Sequence, residues 1–297
     1  MAKTDWTVLE MLNWTIEFFN GKNVQESRLD AEVLLANVLD IKRLDLYLNF
    51  DRILKLIEIE NFKDLIKKRV SGMPVAYILG EKEFMGLRFV VNPSVLIPRP
   101  ETEILVEEVL SVVKEKMVDV KDLTIVDVFT GSGNIPISLA KFVKDFKTDF
   151  FVYGIEIETE TIKLAQQNVY ANEVADKVRL FQGDVLAPLE ILPLKNKVDI
   201  ITANPPYIKT SDMNSLQKEV KAEPKIALDG GEDGLIFYKK LIKQSLNYLK
   251  KAGYIFMEID PSLTDEIKKL LAKDFEKVEV KKDYQNLDRV IIARRTL

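Results

Sequence analysis

The chain has 297 residues, of which 47% are hydrophobic and 30% charged, which is enough for one large domain and a smaller one. It contains neither histidine nor cysteine. This excludes Ser-His-Asp and Cys-His nucleophiles, zinc sites with the usual ligands, and disulfides. A net charge of −4 disfavours a protein that neutralises many nucleic-acid phosphates. Any chemistry must therefore use carboxylates, amides, hydroxyls, cations or a cofactor.

The N-terminal segment does not resemble a signal peptide, because Lys3, Asp5, Glu10 and Glu17 interrupt its apolar positions. No stretch approaches the roughly 20 apolar residues that span a bilayer. The sequence therefore predicts a cytoplasmic protein that does not associate with membranes.

The first part of the chain has the apolar spacing of helices. From Asp5 to about Ser71, hydrophobic residues recur at helical intervals, which predicts a small helical domain over residues 1–73. Residues 74–100 are predicted to be a connector, because a short hairpin pattern at 84–91 is followed by three prolines. A helix from about Glu101 to Lys116 then opens a larger domain over residues 101–297.

Strand and helix patterns alternate in this larger domain. Strands are predicted over residues 124–129, 150–156, 178–182, 198–203, 253–259, 277–281 and 288–294. Helical patterns at 134–145, 159–172, 236–250 and 262–273 separate most of them. Such alternation predicts an α/β fold in which helices cover both faces of a mainly parallel sheet.

The first of these strands runs into the turn Thr130-Gly131-Ser132-Gly133 and then into a helix. Glycines there let the backbone approach a ligand closely beside a helix N-terminus. A tight strand-to-helix turn without any ligand would explain the same residues, so the turn alone is weak evidence. It is not a phosphate-binding P-loop, because no lysine follows the second glycine.

Acidic residues follow the next two strands. Glu156 ends the second strand, where a carboxylate can accept hydrogen bonds from ribose hydroxyls. Asp184 comes after the third strand and offers an acceptor for an adenine amino group. Each acid alone would more often be a solvated strand end. Because the carboxyl ends of parallel strands meet at one edge, the three strand ends together predict a nucleoside site.

The most specific motif is Asn204-Pro205-Pro206-Tyr207, directly after the fourth strand. The two proline rings fix consecutive φ angles, so the tetrapeptide forms a stiff corner. The side-chain oxygen of Asn204 and the main-chain carbonyl of Pro205 are predicted to be free acceptors, and the ring of Tyr207 a flat wall. Two acceptors beside a flat wall suit a planar NH₂ group. A proline-rich turn capped by asparagine would explain only part of this pattern.

These motifs resemble class I methyltransferases, which use S-adenosylmethionine to methylate amides or exocyclic amines. Other segments are similar to the HemK/PrmC-type protein-glutamine methyltransferases of peptide chain release factors. They are residues 74–80, 83–86, 96–103, 223–228 and 230–235, so the resemblance covers nearly the whole chain. In this family a small residue usually stands at Phe129, and Glu-x-Gly usually stands at Glu258-Ile259-Asp260.

The resemblance implies a Rossmann-like sheet of seven strands, a small N-terminal helical domain and a hairpin connector. It also implies methyl transfer from S-adenosylmethionine, which becomes S-adenosylhomocysteine, to a glutamine in the Gly-Gly-Gln motif of class 1 release factors, without a metal. Asn204, Pro205 and Tyr207 would be catalytic, and Pro206 would contact the substrate with them. Residues implied to bind the cofactor are Asp127, Thr130, Gly131, Ser132, Gly133, Glu156, Asp184 and Asn204.

Three other interpretations remain open at this stage. A related enzyme could methylate a glutamine of a ribosomal protein. An adenine amino methyltransferase shares the acceptor corner, but it would need phosphate contacts, which the net charge disfavours, so no stable DNA binding is expected. A non-catalytic nucleoside-binding scaffold would not require two free acceptors at residues 204 and 205.

Overall fold

The computed structural model describes residues 5–117, 120–146 and 149–297. They fall into two compact units. One is a helical unit, formed by the chain up to Gly80 together with residues 217–222. The other is an α/β unit, formed by residues 81–216 and 223–297. The unit division therefore lies at Gly80, within the predicted connector, and the hairpin belongs to the α/β unit.

The helical unit contains α1 (Val8–Asn20), α2 (Ser27–Leu39), a 3₁₀ helix (Arg43–Leu48), α3 (Leu56–Val70) and α4 (Val75–Leu79). A later segment adds α8 (Lys218–Lys221). Helix α1 begins at a capping box, in which the Thr7 hydroxyl accepts from the Glu10 N–H and the Glu10 carboxylate accepts from the Thr7 N–H. Its buried face packs with α2 and α3 around Phe19, Leu34 and Phe62.

A buried arginine connects the later segment to this unit. Arg69 of α3 donates from Nε to Asp30 at 2.6 Å and from Nη1 to Glu219 of α8 at 2.7 Å. Arg69 and Asp30 are both buried, and two carboxylates compensate the one guanidinium. Residues 217–222 are therefore an integral part of the helical unit.

The α/β unit begins with the predicted hairpin, formed by β1 (Glu81–Phe84) and β2 (Leu87–Val90). Met85 and Gly86 of its turn both have positive φ angles, 52° and 68°, as a tight two-residue hairpin turn requires. Phe84 and Phe89 are fully buried and pack edge to face. They join the same apolar cluster as α5 (Pro100–Lys116).

Seven strands form the central sheet in the order β5-β4-β3-β6-β7-β9-β8. Strands β5, β4, β3, β6 and β7 are parallel, whereas β9 is antiparallel to both of its neighbours. The strands are β3 (Leu123–Val128), β4 (Phe150–Glu156), β5 (Val178–Gln182), β6 (Val198–Ala203), β7 (Leu249–Glu258), β8 (Phe275–Lys282) and β9 (Asp288–Arg295). The predicted mainly parallel seven-stranded α/β fold is confirmed.

Helices cover both faces of the sheet. Helices α5, α6 (Asn134–Val143) and α7 (Thr159–Ala171) bury apolar side chains on one face. Helices α9 (Ile236–Ser245) and α10 (Thr264–Leu271) do so on the other. Every residue of β6 is buried, as expected for a central strand with both faces covered.

The helix predicted over residues 236–250 is too long. Helix α9 ends at Ser245, and β7 begins at Leu249 instead of at residue 253. Leu249 is fully buried and pairs with Val198 of β6, so sheet pairing overrides the helical spacing of the local sequence. Among the described residues, no helix is both long and apolar enough to cross a membrane.

Candidate active site

The carboxyl ends of β3, β4, β5 and β6 surround a cavity of about 710 Å³, counting its open mouth. A smaller cavity of about 320 Å³ adjoins it. Four residues line both cavities, namely Leu96, Phe129, Gly131 and Asn204.

The turn after β3 contributes unequally to the two cavities. Gly131 lines both, and Thr130 lines the smaller one. Ser132 and Gly133 line neither of these two. Ser132 is buried and donates to Asn134 at 3.3 Å, while Gly133 is the residue that precedes α6. The structure therefore brings the first half of the predicted glycine turn to the cavities and uses the second half to start the helix.

Asp127 lies beneath this turn and lines neither cavity. Its fully buried carboxylate accepts from the hydroxyls of Thr130 at 2.5 Å and Thr202 at 2.7 Å. Burial raises the pKa of the Asp127 carboxyl to about 7, although both hydroxyls act in the opposite direction. Asp127 thus joins the glycine turn to β6.

Glu156 lies in the wall of the larger cavity. Its carboxylate accepts from the backbone N–H groups of Gly131 at 3.0 Å and Ile157 at 2.8 Å, with Glu158 further away at 3.4 Å. Burial raises the pKa of this carboxyl above its usual value. Because a carboxylate has about four lone-pair sites, Glu156 retains capacity for a hydroxyl donor in the cavity.

Asp184 also lines the larger cavity, but it is not free. Its carboxylate forms an ion pair with Lys240 of α9. The side chain is 48% exposed, so the pair is screened by water and the carboxylate remains accessible.

Two aromatic rings narrow this cavity. Phe129 and Phe237 both line it and pack edge to face, with their ring centroids 5.3 Å apart. Phe129 has a φ angle of 64°, in the left-handed region that bulky residues avoid. The backbone at this position is therefore strained, and the aromatic side chain takes space that a small residue would leave open.

Asn204 lies where the two cavities meet. Its Nδ2 donates to the Thr102 hydroxyl at 3.2 Å, and no described residue donates to its Oδ1. Pro205 is buried, and its carbonyl also accepts from no donor within residues 5–117, 120–146 and 149–297. Pro206 lines the larger cavity. Among the described residues, neither the Asn204 Oδ1 nor the Pro205 carbonyl therefore has a donor, and Asn204 lines both cavities whereas Pro205 lines neither.

Tyr207 lines neither of the two cavities, and its backbone packs closely against two glycines. A Cβ on Gly230 would lie 2.7 Å from the Tyr207 Cα, and one on Gly234 would lie 2.6 Å from the Tyr207 carbonyl oxygen. These glycines therefore permit a close approach that other residues would block. Burial raises the pKa of the Tyr207 phenol above its usual value, so the phenol stays protonated.

The structure also gives Arg99 a position that the sequence does not reveal. Arg99 lines the smaller cavity and forms an ion pair with the buried Glu223. The other oxygen of Glu223 accepts from the Ile97 N–H at 3.0 Å. Arg99 and Glu223 together hold the loop before α5 beside the cavity.

Sequence reasoning assigned no role to three residues that support the site, which are Thr102, Thr202 and Glu258, although Thr102 and Glu258 lie in segments compared there with the family. Glu258 ends β7 and accepts from Thr102 at 2.6 Å, so it is one hydrogen bond away from the residue that holds Asn204. Its position after the last parallel strand was a usable signal, because the neighbouring strand ends carry the predicted site. No sequence pattern joined Thr102 to Asn204, which is 102 residues further along the chain.

Comparisons with known proteins agree on the class. Residues 119–293 match the family model described as "Methyltransferase domain". The hMettl16 catalytic domain, solved in complex with a MAT2A 3′UTR hairpin, superimposes with a TM-score of 0.52. The superposition covers 77% of this chain and 81% of that chain at 18% identity, a likeness of fold. The sheet order, the cavity at its carboxyl edge and these matches define a class I S-adenosylmethionine-dependent methyltransferase fold.

The family is identified by a match of the N-terminal part of the chain and by relatives that match nearly its whole length. Residues 10–80 match the model of the PrmC N-terminal domain. Release factor glutamine methyltransferases of Chlorobaculum tepidum and Geobacter sulfurreducens are each 36% identical to this chain. The first match covers 96% of both chains and the second covers 97% of both. The chain belongs to the release factor glutamine methyltransferase family.

Proposed function

We propose that this protein transfers a methyl group from S-adenosylmethionine to the side-chain amide nitrogen of a glutamine in a peptide chain release factor. The observation that carries the proposal is the position of Asn204. Asn204 lines both cavities and its Oδ1 accepts from no described residue, and the carbonyl of the following residue, Pro205, has no described donor either. A glutamine NH₂ group presents two N–H donors, which match these two acceptors.

The residues of the two cavities fit the cofactor. The larger cavity has apolar walls, including Ile157, Val185 and Ile226, which suit a flat base, and the Glu156 carboxylate, which suits ribose hydroxyls. Asp184 would accept from the adenine amino group while it keeps Lys240. Thr130 and Gly131 at the smaller cavity would hold the amino-acid end, with Asp127, Ser132 and Gly133 fixing the turn.

S-adenosylmethionine supplies a methyl group that is already activated on a sulfonium, so the proposed transfer needs neither a metal nor a covalent enzyme intermediate. The main task of the protein is orientation. By accepting both N–H bonds, Asn204 and Pro205 fix the plane of the substrate amide. The same acceptors stabilise the positive charge that develops on the nitrogen. Pro206 and Tyr207 keep the corner rigid and provide its apolar wall.

We further propose that the helical domain predicted over residues 1–73 recognises the release factor. Its exposed surface carries large apolar side chains, among them Leu44, Leu48 and Leu56. Exposed apolar side chains of this kind suit a protein partner. A release factor as substrate also places the protein in the cytoplasm and requires no binding to DNA or membranes.

The test is a comparison of methyl acceptors. The protein is incubated with methyl-labelled S-adenosylmethionine and, separately, with a release factor, a ribosomal protein mixture and DNA. We expect label only on the release factor, and none when its Gly-Gly-Gln glutamine is changed to alanine. Label on a ribosomal protein or on DNA, with none on the release factor, would contradict the proposal.

A further inference from the structure

Three side chains from distant parts of the sequence form a hydrogen-bonded chain behind the acceptor corner. Asn204 Nδ2 donates to Thr102 Oγ1 at 3.2 Å, and this hydroxyl donates to Glu258 Oε2 at 2.6 Å. Thr102 is 1% exposed and Glu258 is 2% exposed. These hydrogen bonds therefore join the first turn of α5 to the ends of β6 and β7, with Thr102 and Glu258 buried and Asn204 partly exposed at the cavities.

The direction of these bonds follows from what each group can do. An ionised carboxylate only accepts, so the single hydroxyl proton of Thr102 must go to Glu258. The hydroxyl oxygen then has only lone pairs left for Asn204. Of the two ends of the Asn204 amide, only the NH₂ end can donate to those lone pairs. The carbonyl end, Oδ1, must therefore point away from the Thr102 hydroxyl, in a residue that lines both cavities.

We propose that Glu258, acting through Thr102, sets the orientation of the Asn204 amide so that its oxygen faces the substrate. This inference rests on the proposed function, because it concerns how the acceptor corner receives a glutamine NH₂ group. In this proposal Thr102 and Glu258 are positioning residues that act on the substrate through Asn204, although Thr102 also lines the smaller cavity.

The reversed amide would be unproductive. It would present the NH₂ group of Asn204 to the NH₂ group of the substrate, which places donor against donor and leaves one acceptor fewer. An amide whose two ends are nearly equal in size needs a polar partner to select one orientation. In this site the partner that the structure provides is the Thr102 hydroxyl.

The protonation state of Glu258 would control this selection. Burial raises the pKa of the Glu258 carboxyl to about 7. A protonated Glu258 can donate to Thr102, which can then donate to Asn204 Oδ1 and reverse the amide. The charged and titratable groups that act on Glu258 are Arg99 and Glu101 at the start of α5, Tyr207 in the corner, Tyr238 on α9 and Arg289 on β9.

The first test compares Thr102→Val with Thr102→Ser in the full-length protein. Valine keeps the shape of threonine but removes the hydroxyl, whereas serine keeps the hydroxyl. We expect Thr102→Val to lower kcat for release factor methylation about tenfold to 10²-fold, less than loss of the acceptor itself. Cofactor Kd should change little, and Thr102→Ser should restore most of the turnover. Equal kcat for Thr102→Val and the wild type would overturn the proposal.

The second test separates positioning from a general structural effect. If Thr102 acts through Asn204, then Thr102→Val should lower kcat no further in an Asn204→Ala background. An additional loss as large as that in the wild-type background would contradict the proposal. Glu258→Gln, which can donate as well as accept, should reduce kcat in the same non-additive way.

The third test is the pH profile. Wild-type and Thr102→Ser turnover should rise with pH through about 7, because ionised Glu258 is the productive form. A flat profile in the wild type would contradict this role of Glu258. Failure of the proposed function is distinguishable, because the wild-type protein would then place no label on the release factor at any pH.

Discussion

Asp127 and Glu258 are two buried carboxylates at the same edge of the sheet, and they differ in what they hold. Each is buried at the end of a parallel strand, accepts from a threonine hydroxyl and has a pKa raised to about 7. Asp127 accepts from two hydroxyls and so joins the glycine turn beside the two cavities to β6. Glu258 bonds to the hydroxyl that holds Asn204. In our proposals, two carboxylates of equal burial and similar chemistry would serve cofactor binding in one region and the orientation of an acceptor in the other.

The largest expected effect lies on the Glu258 side of this comparison. Asn204→Ala removes one of the two proposed acceptors for the substrate amide, so turnover should fall about 10²-fold to 10³-fold. Cofactor affinity should barely change, because Glu156 and Asp184 remain in place. Single-turnover kinetics with a saturating release factor, together with calorimetric titration of the cofactor, measure both quantities. Near-normal turnover would remove Asn204 from the mechanism.

Asn204→Asp is the matched variant. It keeps acceptor oxygens but loses the NH₂ group that donates to Thr102, and it adds a negative charge beside the proposed sulfonium site. We expect turnover to be impaired in this variant as well.

The next largest effect should come from the cofactor side. Glu156→Ala removes a carboxylate that would hold the ribose and that accepts from the Gly131 N–H. Cofactor Kd should rise about tenfold to 10²-fold, the usual range for hydrogen bonds to a charged group. The rate of the transfer step should change much less, because contacts to a remote ribose act equally in the ground and transition states. A Kd equal to that of the wild type would exclude Glu156 from the site.

Stability should depend on pH through both carboxylates. Folding raises their pKa values from 3.8 and 4.5 to about 7, so the native state binds these protons more tightly than the unfolded state does. Their contribution is full below about pH 4 and is lost progressively as pH rises from there to about 7, above which the carboxyls are ionised in both states. Each group should lower the free energy of unfolding by up to about 1.4 kcal/mol per pH unit in this range.

Denaturant titrations between about pH 4 and about pH 8 measure this dependence, which should level off above about pH 7. Asp127→Asn and Glu258→Gln should each flatten the pH dependence relative to the wild type. A variant that keeps the full wild-type slope would show that its carboxyl titrates elsewhere.

The smallest expected effect, that of Thr202→Val, gives the most direct comparison of the Asp127 and Glu258 regions. Thr202→Val removes a hydroxyl from Asp127, just as Thr102→Val removes one from Glu258. We expect Thr202→Val to raise cofactor Kd by about threefold to tenfold, in line with one lost hydrogen bond, with a smaller change in kcat. Thr102→Val should instead lower kcat strongly and change cofactor Kd little. If both variants changed Kd and kcat in the same proportion, the two regions would not be functionally distinct.

Features of the site that arise from local sequence patterns could be predicted, whereas contacts between residues far apart in the sequence could not. The strand ends at Glu156, Asp184 and Asn204 were predictable, because each follows an apolar strand and parallel strands share one edge. The bond between Thr102 and Asn204 was not, since it depends on how α5 packs near the ends of β6 and β7. The helix predicted over residues 236–250 was too long for the same reason. Leu249 pairs with β6 in the sheet, although the local sequence continues the helical spacing.

The bond from Arg69 to Glu219 has a consequence for the order in which the protein can fold during synthesis. Arg69 and Glu219 are 150 positions apart. The ribosome must therefore make most of the α/β unit before the helical unit has all of its residues. Until then Arg69 has only Asp30 as an ionic partner. During synthesis the helical unit therefore lacks residues 217–222 until the ribosome has made them. A chain truncated before residue 217 never supplies this part of the unit.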